Sequence, residues 1–249
     1  MIFSQTDLLF PVHAVPSAGP LPPGAERLEV TTADGDSLHG VHMTPTAEAA
    51  GERTLLLAFG GNAWNAQEVA TYLHGIFPEA HVVAFHYRGY RPSTGRPSAE
   101  ALMDDAPLQF DEAVRRIKPD LTVAVGFSIG SGVAASLARQ RDLSGLIMVT
   151  PFDSLKAVAQ DLYPWLPVGL FFQHEIAAAD YLAGSRVPVA ILAAERDEII
   201  PQVRTDALRK RVPNLAFDRN FPKTGHNDIY HRSDFQGALR EALAAVASK

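Results

Sequence analysis

The pentapeptide Gly126-Phe127-Ser128-Ile129-Gly130 is the segment of the sequence whose residue types and spacing point most directly to chemistry. It follows a run of apolar residues and precedes a helical stretch, so Ser128 is expected on a sharp turn from a buried strand into a helix. Such a turn strains the backbone and needs small neighbours, which Gly126 and Gly130 provide. Ser128 is therefore a candidate nucleophile. The alternative is a glycine-rich turn without chemistry.

A serine hydroxyl needs a base to accept its proton and a third group to orient that base. Of the nine histidines, His226 is the candidate base, because it lies in a loop between a late strand and the last helix. Asp197 follows another apolar run and is expected at the same edge of the sheet. The order Ser, Asp, His is the one expected for a G-x-S-x-G turn of this kind. Asp153, which follows the preceding strand, remains the alternative acid.

Acyl transfer also needs hydrogen-bond donors for the negative charge that develops on the substrate carbonyl oxygen. The backbone N–H of Ile129 is one candidate, because it directly follows the nucleophile. The backbone N–H of Asn62 is the second, in the glycine-containing loop 59–65. No Lys-Ser or Lys-Thr pair follows this loop, which excludes a P-loop, and it lacks the G-x-G-x-x-G pattern of a dinucleotide site.

Five short apolar runs predict buried strands of a parallel sheet, at residues 55–59, 82–85, 121–127, 146–149 and 187–194. Another strand is expected at about 216–221. Helical stretches lie between and after these runs, near residues 65–77, 98–117, 131–141, 202–211 and 229–248. Pro107 is expected to kink or split the second helix, because proline lacks the amide donor. Gly132 is expected to let the third helix approach the sheet closely.

The N-terminal part of the sequence does not follow this alternation of apolar runs and helical stretches. The proline-rich residues 11–24 predict an extended lead-in, and two strands near 27–32 and 37–44 are joined by the turn Asp34-Gly35. The expected fold is therefore α/β, a mostly parallel, doubly wound sheet with antiparallel N-terminal strands, forming a single domain over residues 1–249.

Residues 151–186 interrupt the alternation of strands and helices. We interpret them as a short cap-like helical insertion over the carboxyl edge of the sheet, in place of a large lid. Aromatic side chains of this insertion and of the loop after the third strand are expected to line an apolar acyl pocket; they are Trp64, Tyr163, Trp165, Phe171 and Phe172, together with Leu166. The alternative is that they only cover the core.

Composition excludes several other classes of protein. The chain has 249 residues, 47% of them apolar, which is enough for one core, and its formal net charge of −6 argues against nucleic acid binding. The absence of cysteine excludes thiol nucleophiles, disulfides and Cys-based zinc sites. We expect no metal and no cofactor. No secretory signal or membrane-spanning run is visible, so the expected location is the cytoplasm.

Several motifs occur in one order along the chain: Gly60-Gly61-Asn62-Ala63, Tyr87-Arg88-Gly89-Tyr90, Gly126–Gly130, Pro151-Phe152, Tyr163-Pro164-Trp165-Leu166-Pro167, Arg196-Asp197-Glu198-Ile199-Ile200-Pro201 and Gly225-His226-Asn227-Asp228. With them the sequence resembles the α/β-hydrolase superfamily over nearly its whole length. It is most similar to the small members without a large lid, a group that includes depalmitoylating serine hydrolases and their bacterial relatives. The resemblance implies Ser128, Asp197 and His226 as a catalytic triad.

The expected function is hydrolysis of a small-molecule carboxylic ester or thioester, with a short-to-medium acyl chain, through an acyl-enzyme on Ser128. A serine peptidase or amidase of the same fold and a non-catalytic binding protein are the alternatives. Arg88 is expected either to tie its loop to neighbouring elements or to bind an anionic group of the substrate. The sequence leaves the oligomeric state open.

Overall fold

The computed structural model describes residues 5–48, 51–165 and 171–247. Its strands are β1 (Ala25–Thr31), β2 (Ser37–Met43), β3 (Thr54–Phe59), β4 (His81–Phe85), β5 (Leu121–Phe127), β6 (Gly145–Val149), β7 (Val189–Ala194) and β8 (Leu215–Phe221). Its helices are α1 (Gln5–Leu9), α2 (Ala66–Ile76), α3 (Ala99–Ile117), α4 (Ile129–Gln140), α5 (Leu155–Leu162), α6 (Ala178–Leu182), α7 (Gln202–Arg209) and α8 (Ser233–Ala247). A short 3-10 helix spans Asp228–His231.

The strands form one sheet in the order β1-β2-β4-β3-β5-β6-β7-β8. The pairs β1–β2 and β2–β4 are antiparallel, and every later pair is parallel, which confirms the predicted fold. Because β5, β7 and β8 are parallel, their carboxyl ends lie at the same edge of the sheet. The segments that carry Ser128, Asp197 and His226 all leave the sheet at that edge.

The central strands are buried on both faces because successive side chains alternate between two layers of core. In β3, Leu57 packs into one cluster and Leu56 into the other. The first cluster includes buried residues of α3 and α4, and the second includes those of α2 and α8. The continuous apolar runs in the sequence thus correspond to strands covered by helices on both sides.

Helix α3 runs through Pro107 without a break, so the expected split at this residue was wrong. A proline leaves the carbonyl four residues earlier without its helical donor, which here is the carbonyl of Met103. The side chain of Gln140 in α4 donates from Nε2 to that carbonyl oxygen at 3.4 Å. This contact between helices replaces the missing hydrogen bond, and the sequence pattern of α3 alone does not reveal it.

Other differences concern the ends of the chain and the insertion. Residues 11–24 contain neither helix nor strand, as predicted, but α1 before them was not expected. The predicted last helix is divided into the 3-10 helix and α8. The insertion contains α5 and α6, as a helical excursion should, while Leu166 and Pro167 lie outside the described residues.

Of the two roles expected for Arg88, tying its loop to neighbouring elements is the one that its contacts support. Its guanidinium donates to Asp105 of α3 at 3.1 and 2.5 Å and to Asp34 of the β1–β2 turn at 2.8 Å. Asp105 is buried, and burial raises the pKa of its carboxyl group while the hydrogen bonds from Arg88 oppose that shift. Arg88 therefore joins the loop after β4, the first turn of the sheet and α3.

Replacing Arg88 with methionine should lower the free energy of unfolding by about 3–5 kcal/mol, because the Asp105 carboxyl would stay buried without its partner. Urea denaturation of the purified proteins measures this difference. The control is Arg115→Met, which removes a pair with Glu112 in the same helix in which the arginine is 71% exposed, and it should cost less than about 1 kcal/mol. Equal losses in the two variants would contradict the role of Arg88.

Candidate active site

Ser128 occupies a strained turn between β5 and α4. Its backbone angles are φ 51° and ψ −120°, a region that non-glycine residues rarely adopt. Its N–H donates to the carbonyl of Val149 at 2.9 Å, and its own carbonyl accepts from the backbone N–H and the hydroxyl of Ser131 at 2.9 and 2.6 Å. The turn is thus held from both sides, with the Ser128 side chain half-buried at the cavity described below.

Two glycines make this turn possible. A Cβ atom on Gly126 would overlap the backbone of Gly130 and Ser131, and one on Gly130 would overlap the carbonyl oxygen of Phe59 and lie 2.6 Å from that of Gly60. The clearance predicted for both is therefore present. Gly132 differs from the prediction, because the atoms nearest to its missing side chain belong to Ile176 and Phe152 rather than to the sheet.

His226 and Asp197 form a buried hydrogen-bonded pair. The distance from His226 Nδ1 to Asp197 Oδ2 is 2.7 Å, and the two side chains are 5% and 4% exposed. The other carboxylate oxygen of Asp197 accepts from the N–H groups of Ile199 and Ile200 at 2.9 and 2.6 Å. This leaves His226 Nε2 as the ring nitrogen without a hydrogen-bond partner among the described residues.

The loops that carry this pair follow adjacent strands and are joined by several further hydrogen bonds. The N–H of Arg196 donates to the carbonyl of Thr224 at 2.9 Å. The N–H of Lys223 donates to the Glu195 carboxylate at 2.6 Å, and that of His226 to the Glu198 carboxylate at 3.1 Å. The position of the imidazole relative to Asp197 is therefore set by backbone contacts as well as by the pair itself.

Asp153 does not contact His226 in the described structure. Its carboxylate lies 3.5 Å from Arg204 on α7, and burial raises its pKa. Asp228, which follows His226 closely in sequence, accepts instead from the N–H of Gly225 at 3.3 Å. Of the two acids that the sequence left open, Asp197 is the one that the structure brings to His226.

The loop after β3 lies beside Ser128. A Cβ atom on Gly61 would be 3.8 Å from Ser128 Cβ. Buried tyrosines hold two carbonyls of this loop: the Tyr87 hydroxyl donates to Gly60 at 2.7 Å and the Tyr90 hydroxyl to Asn62 at 2.9 Å. Burial raises the pKa of both phenols, so both are neutral donors.

The peptide between Gly61 and Asn62 is oriented by a turn. The carbonyl of Gly61 accepts from the N–H of Trp64 at 3.2 Å, so the N–H of Asn62, on the other side of the same trans peptide, points the opposite way. Within the described residues, neither this N–H nor that of Ile129 donates to a protein acceptor. Both proposed donors of the oxyanion site are therefore unpaired.

A cavity of about 1030 Å³ contains Ser128, His226, Asn62 and Ile129 in its lining. The structure places Trp64, Tyr163, Phe171 and Phe172 in the same lining, but not Trp165. Trp165 is 74% exposed and packs edge-on against Tyr163, with 5.9 Å between the ring centres. Its predicted place in the pocket is therefore not seen. The Ser128 and His226 side chains face this cavity without a hydrogen bond between them among the described residues.

Sequence reasoning missed several lining residues. They are Gln5, Leu8 and Leu9 of α1, Tyr72 of α2, Ile200, and Tyr230 with His231 after the histidine loop. The run Leu8-Leu9-Phe10 before Pro11 was the available signal for α1. Burial raises the pKa of Tyr72 to about 12 and raises that of Tyr230 as well. These phenols are therefore neutral and contribute polar edges without charge.

Metal ligation has no visible basis in the described part of the chain. No group of three His, Asp or Glu side chains there is arranged to hold an ion. His42 pairs with a second histidine, and its Nε2 lies 2.9 Å from His81 Nδ1. Separately, no described helix has the length and hydrophobicity needed to cross a bilayer.

Two known proteins are similar in sequence to this chain, one over most of its length and the other over about half of it. An uncharacterised protein of Mycobacterium tuberculosis is 32% identical over 227 residues, which cover 86% of this chain and 78% of that protein. Lysophosphatidylserine lipase ABHD12 of Danio rerio is 34% identical over 139 residues, or 49% of this chain and 36% of that protein. No protein-family model matches the chain.

Solved structures show the same fold. The Pyrococcus furiosus esterase Pf2001 aligns with a TM-score of 0.74 at 16% identity, covering 94% of this chain and 97% of that one. An α/β hydrolase from Vibrio vulnificus aligns with a TM-score of 0.73 at 18% identity, covering 97% and 92%. Together with the sheet topology and the relatives in sequence, these matches establish the class: the chain belongs to the α/β-hydrolase superfamily.

Gly130→Ala should lower the free energy of unfolding by about 3 kcal/mol or more, because the added methyl group would meet backbone rather than a movable side chain. Thermal and urea denaturation measure the loss. The matched control is Gly237→Ala in α8, where nothing lies within 4 Å of the added atom. That change should raise stability by up to about 1 kcal/mol. A Gly130→Ala variant as stable as the wild type would contradict the close packing of the turn.

Proposed function

We propose that this protein is a serine hydrolase that cleaves carboxylic esters or thioesters through an acyl-enzyme on Ser128. The proposal rests mainly on the strained turn of Ser128, which opens into the same cavity as the buried His226–Asp197 pair. A strained serine, an oriented imidazole and unpaired backbone donors are together the requirements for acyl transfer.

In the first half of the reaction, His226 Nε2 accepts the proton of the Ser128 hydroxyl while Oγ attacks the acyl carbon. The carbonyl oxygen becomes negatively charged and accepts hydrogen bonds from the N–H groups of Ile129 and Asn62. The tetrahedral intermediate collapses as the bond to the leaving oxygen or sulfur breaks. His226 returns its proton to that atom, and the alcohol or thiol departs.

In the second half, a water molecule gives a proton to His226 Nε2 and its oxygen attacks the acyl carbon bound to Ser128. The second intermediate collapses to a carboxylic acid, and the proton returns to Ser128 Oγ. Throughout both halves, Asp197 accepts from His226 Nδ1–H, which keeps the Nε2 lone pair available and stabilises the imidazolium form. The two backbone donors to the other oxygen of Asp197 hold the carboxylate in this orientation.

The lining of the cavity favours a neutral acyl chain. None of its described residues is Asp, Glu, Lys or Arg, and aliphatic and aromatic side chains predominate. A free N-terminal amine of a peptide would find no carboxylate there, which disfavours the peptidase alternative. The partial similarity to a protein named as a lysophosphatidylserine lipase supports an acyl ester as the substrate class. Trp64, Tyr163 and Phe171 would contact the chain.

The expected substrates are small esters or thioesters with short-to-medium acyl chains. The single sheet supports one domain over residues 1–249, with residues 151–186 as a cap-like insertion. The absence of cysteine fits a location in the cytoplasm. No cofactor takes part in the proposed steps.

The wild-type protein should hydrolyse p-nitrophenyl esters and react covalently with a fluorophosphonate probe, and Ser128→Ala should lose both activities because the attacking oxygen is gone. Absorbance at fixed ester concentration and gel fluorescence of the labelled protein give the two readouts. Acetyl, butyryl, octanoyl and decanoyl esters, with the matching thioesters, define the acyl preference. Rates near zero across this series, or labelling that persists in Ser128→Ala, would refute the proposal.

Asp197→Asn should lower kcat by a factor on the order of 10³–10⁴, because the amide no longer favours the histidine tautomer that accepts a proton at Nε2. The control is Asp153→Asn, which changes the other candidate acid and leaves the His226 pair intact. It should retain activity close to that of the wild type. If Asp153→Asn were the more damaging change, the acid would be misassigned.

A further inference from the structure

Helix α1 forms one wall of the cavity at Ser128. Gln5, Leu8 and Leu9 contribute to the lining, although the helix has only five residues and none of them is fully buried. Isolated helices of this length are unstable in water, so contacts with the rest of the protein must hold it in place. The next residue, Phe10, is buried in the main core cluster and anchors the segment.

Gln5 connects the segment to the insertion. Its Nε2 donates to the carbonyl of Phe171 at 2.7 Å, and its Oε1 accepts from the N–H of Gln173 at 3.1 Å. Both polar groups of one amide thus pair with the backbone of the insertion. Phe171, whose carbonyl accepts one of these hydrogen bonds, lines the cavity and is one of the expected substrate contacts.

His174 also contacts the segment. Its Nδ1 accepts from the N–H of Ala99 at 3.5 Å, which leaves the proton on Nε2 to be donated to the Thr6 hydroxyl at 2.8 Å. The ring of Phe10 packs edge-on against the His174 ring at 5.4 Å. Two neighbouring side chains of the segment therefore rest on one buried histidine.

Asn62 connects the segment to the loop beside Ser128. Its side-chain Nδ2 donates to the carbonyl of Leu9 at 3.2 Å, which pairs one of the last carbonyls of α1. The backbone N–H of the same residue is the proposed second oxyanion donor, and its carbonyl accepts from Tyr90. Helix α1, which forms the cavity wall, is thus hydrogen-bonded to the loop that would stabilise the oxyanion.

We propose that the segment Gln5–Phe10 determines which acyl chains the enzyme accepts, with Leu9 as the residue that limits chain length and Gln5 as the residue that holds the wall. The inference rests on the proposed ester hydrolysis at Ser128. Leu9 is half-buried against the core, whereas Leu8 is 63% exposed. Because Leu9 is the more enclosed of these two lining leucines, we assign to it the contact with the end of the acyl chain.

The first experiment compares kcat/KM for decanoyl and acetyl p-nitrophenyl esters. Leu9→Trp should lower the ratio of the two values about tenfold, because the indole occupies space needed only by the longer chain. Leu9→Ala should move the preferred chain length upward. The control is Leu215→Trp, at an exposed position of β8 outside the cavity lining, which should leave the ratio unchanged. A ratio unaffected by Leu9→Trp would overturn the inference.

The second experiment removes the hydrogen bonds by which the Gln5 side chain holds α1 against the insertion. Gln5→Ala should raise KM for the decanoyl ester severalfold more than KM for the acetyl ester, because Leu8 and Leu9 lose their fixed position. Gln67→Ala is the matched control, since Gln67 also donates to a backbone carbonyl, that of Pro20, at 2.9 Å away from the cavity. Equal effects of Gln5→Ala on both esters would contradict the role of Gln5.

A third measurement does not depend on catalysis. In a Ser128→Ala background, calorimetry should show that Leu9→Trp weakens binding of decanoate about tenfold, while Leu215→Trp does not. If the wild-type protein hydrolysed no ester but Leu9→Trp still weakened decanoate binding, the proposed ester hydrolysis would be refuted. The inference that Leu9 contacts the acyl chain would still be supported. If hydrolysis were normal and decanoate bound all variants equally, the inference about the segment would fail alone.

Discussion

The hydrogen bond between His226 Nδ1 and Asp197 Oδ2 is the contact on which the arrangement of the candidate site depends. Both groups are almost completely buried, where an unpaired carboxylate would be strongly unfavourable, so the pair persists only because each acceptor oxygen has a donor. The residues reach each other because β7 and β8 are adjacent and parallel and their following loops are bonded together. The pairing of β7 with β8 brings Asp197 and His226 close together, and the hydrogen bonds between their loops orient the two side chains.

The position of Ser128, the proposed nucleophile, depends on a different constraint, which is steric. Ser128 adopts a strained conformation because the backbone around it is packed too closely for any side chain at Gly126 or Gly130. The same close approach places the first turn of α4 against the carbonyls of Phe59 and Gly60, and so beside the loop that contains Asn62. The serine and the two unpaired N–H groups are therefore positioned by one packing contact. Tyrosine hydroxyls on the far side of that loop hold it in place without introducing charge.

The cavity combines parts of the chain that are distant in sequence. Helix α1, the loop after β3, the insertion and the histidine loop each contribute a side, and the described lining carries no formally charged side chain apart from the titratable histidines. Such a surface disfavours charged chains and favours apolar ones, since a buried charge without a partner is costly. The hydrogen bond from Asn62 to Leu9 joins α1 to the loop beside Ser128. In the proposed reaction, acyl-chain recognition and oxyanion stabilisation would therefore share one residue, Asn62.

The sequence by itself determined the sheet and the positions of Ser128, Asp197 and His226 at its edge, because buried parallel strands are continuous apolar runs and their carboxyl ends must lie together. It left Asp153 open as the acid, since both aspartates follow neighbouring strands. Only the tertiary structure decided which of them reaches His226, because that depends on the loop hydrogen bonds. It also decided that α3 continues through Pro107, that Trp165 stays outside the cavity and that α1 forms its wall. The course of α3 and the position of α1 depend on partners far away in sequence, Gln140 and the backbone of Phe171, which local patterns do not encode.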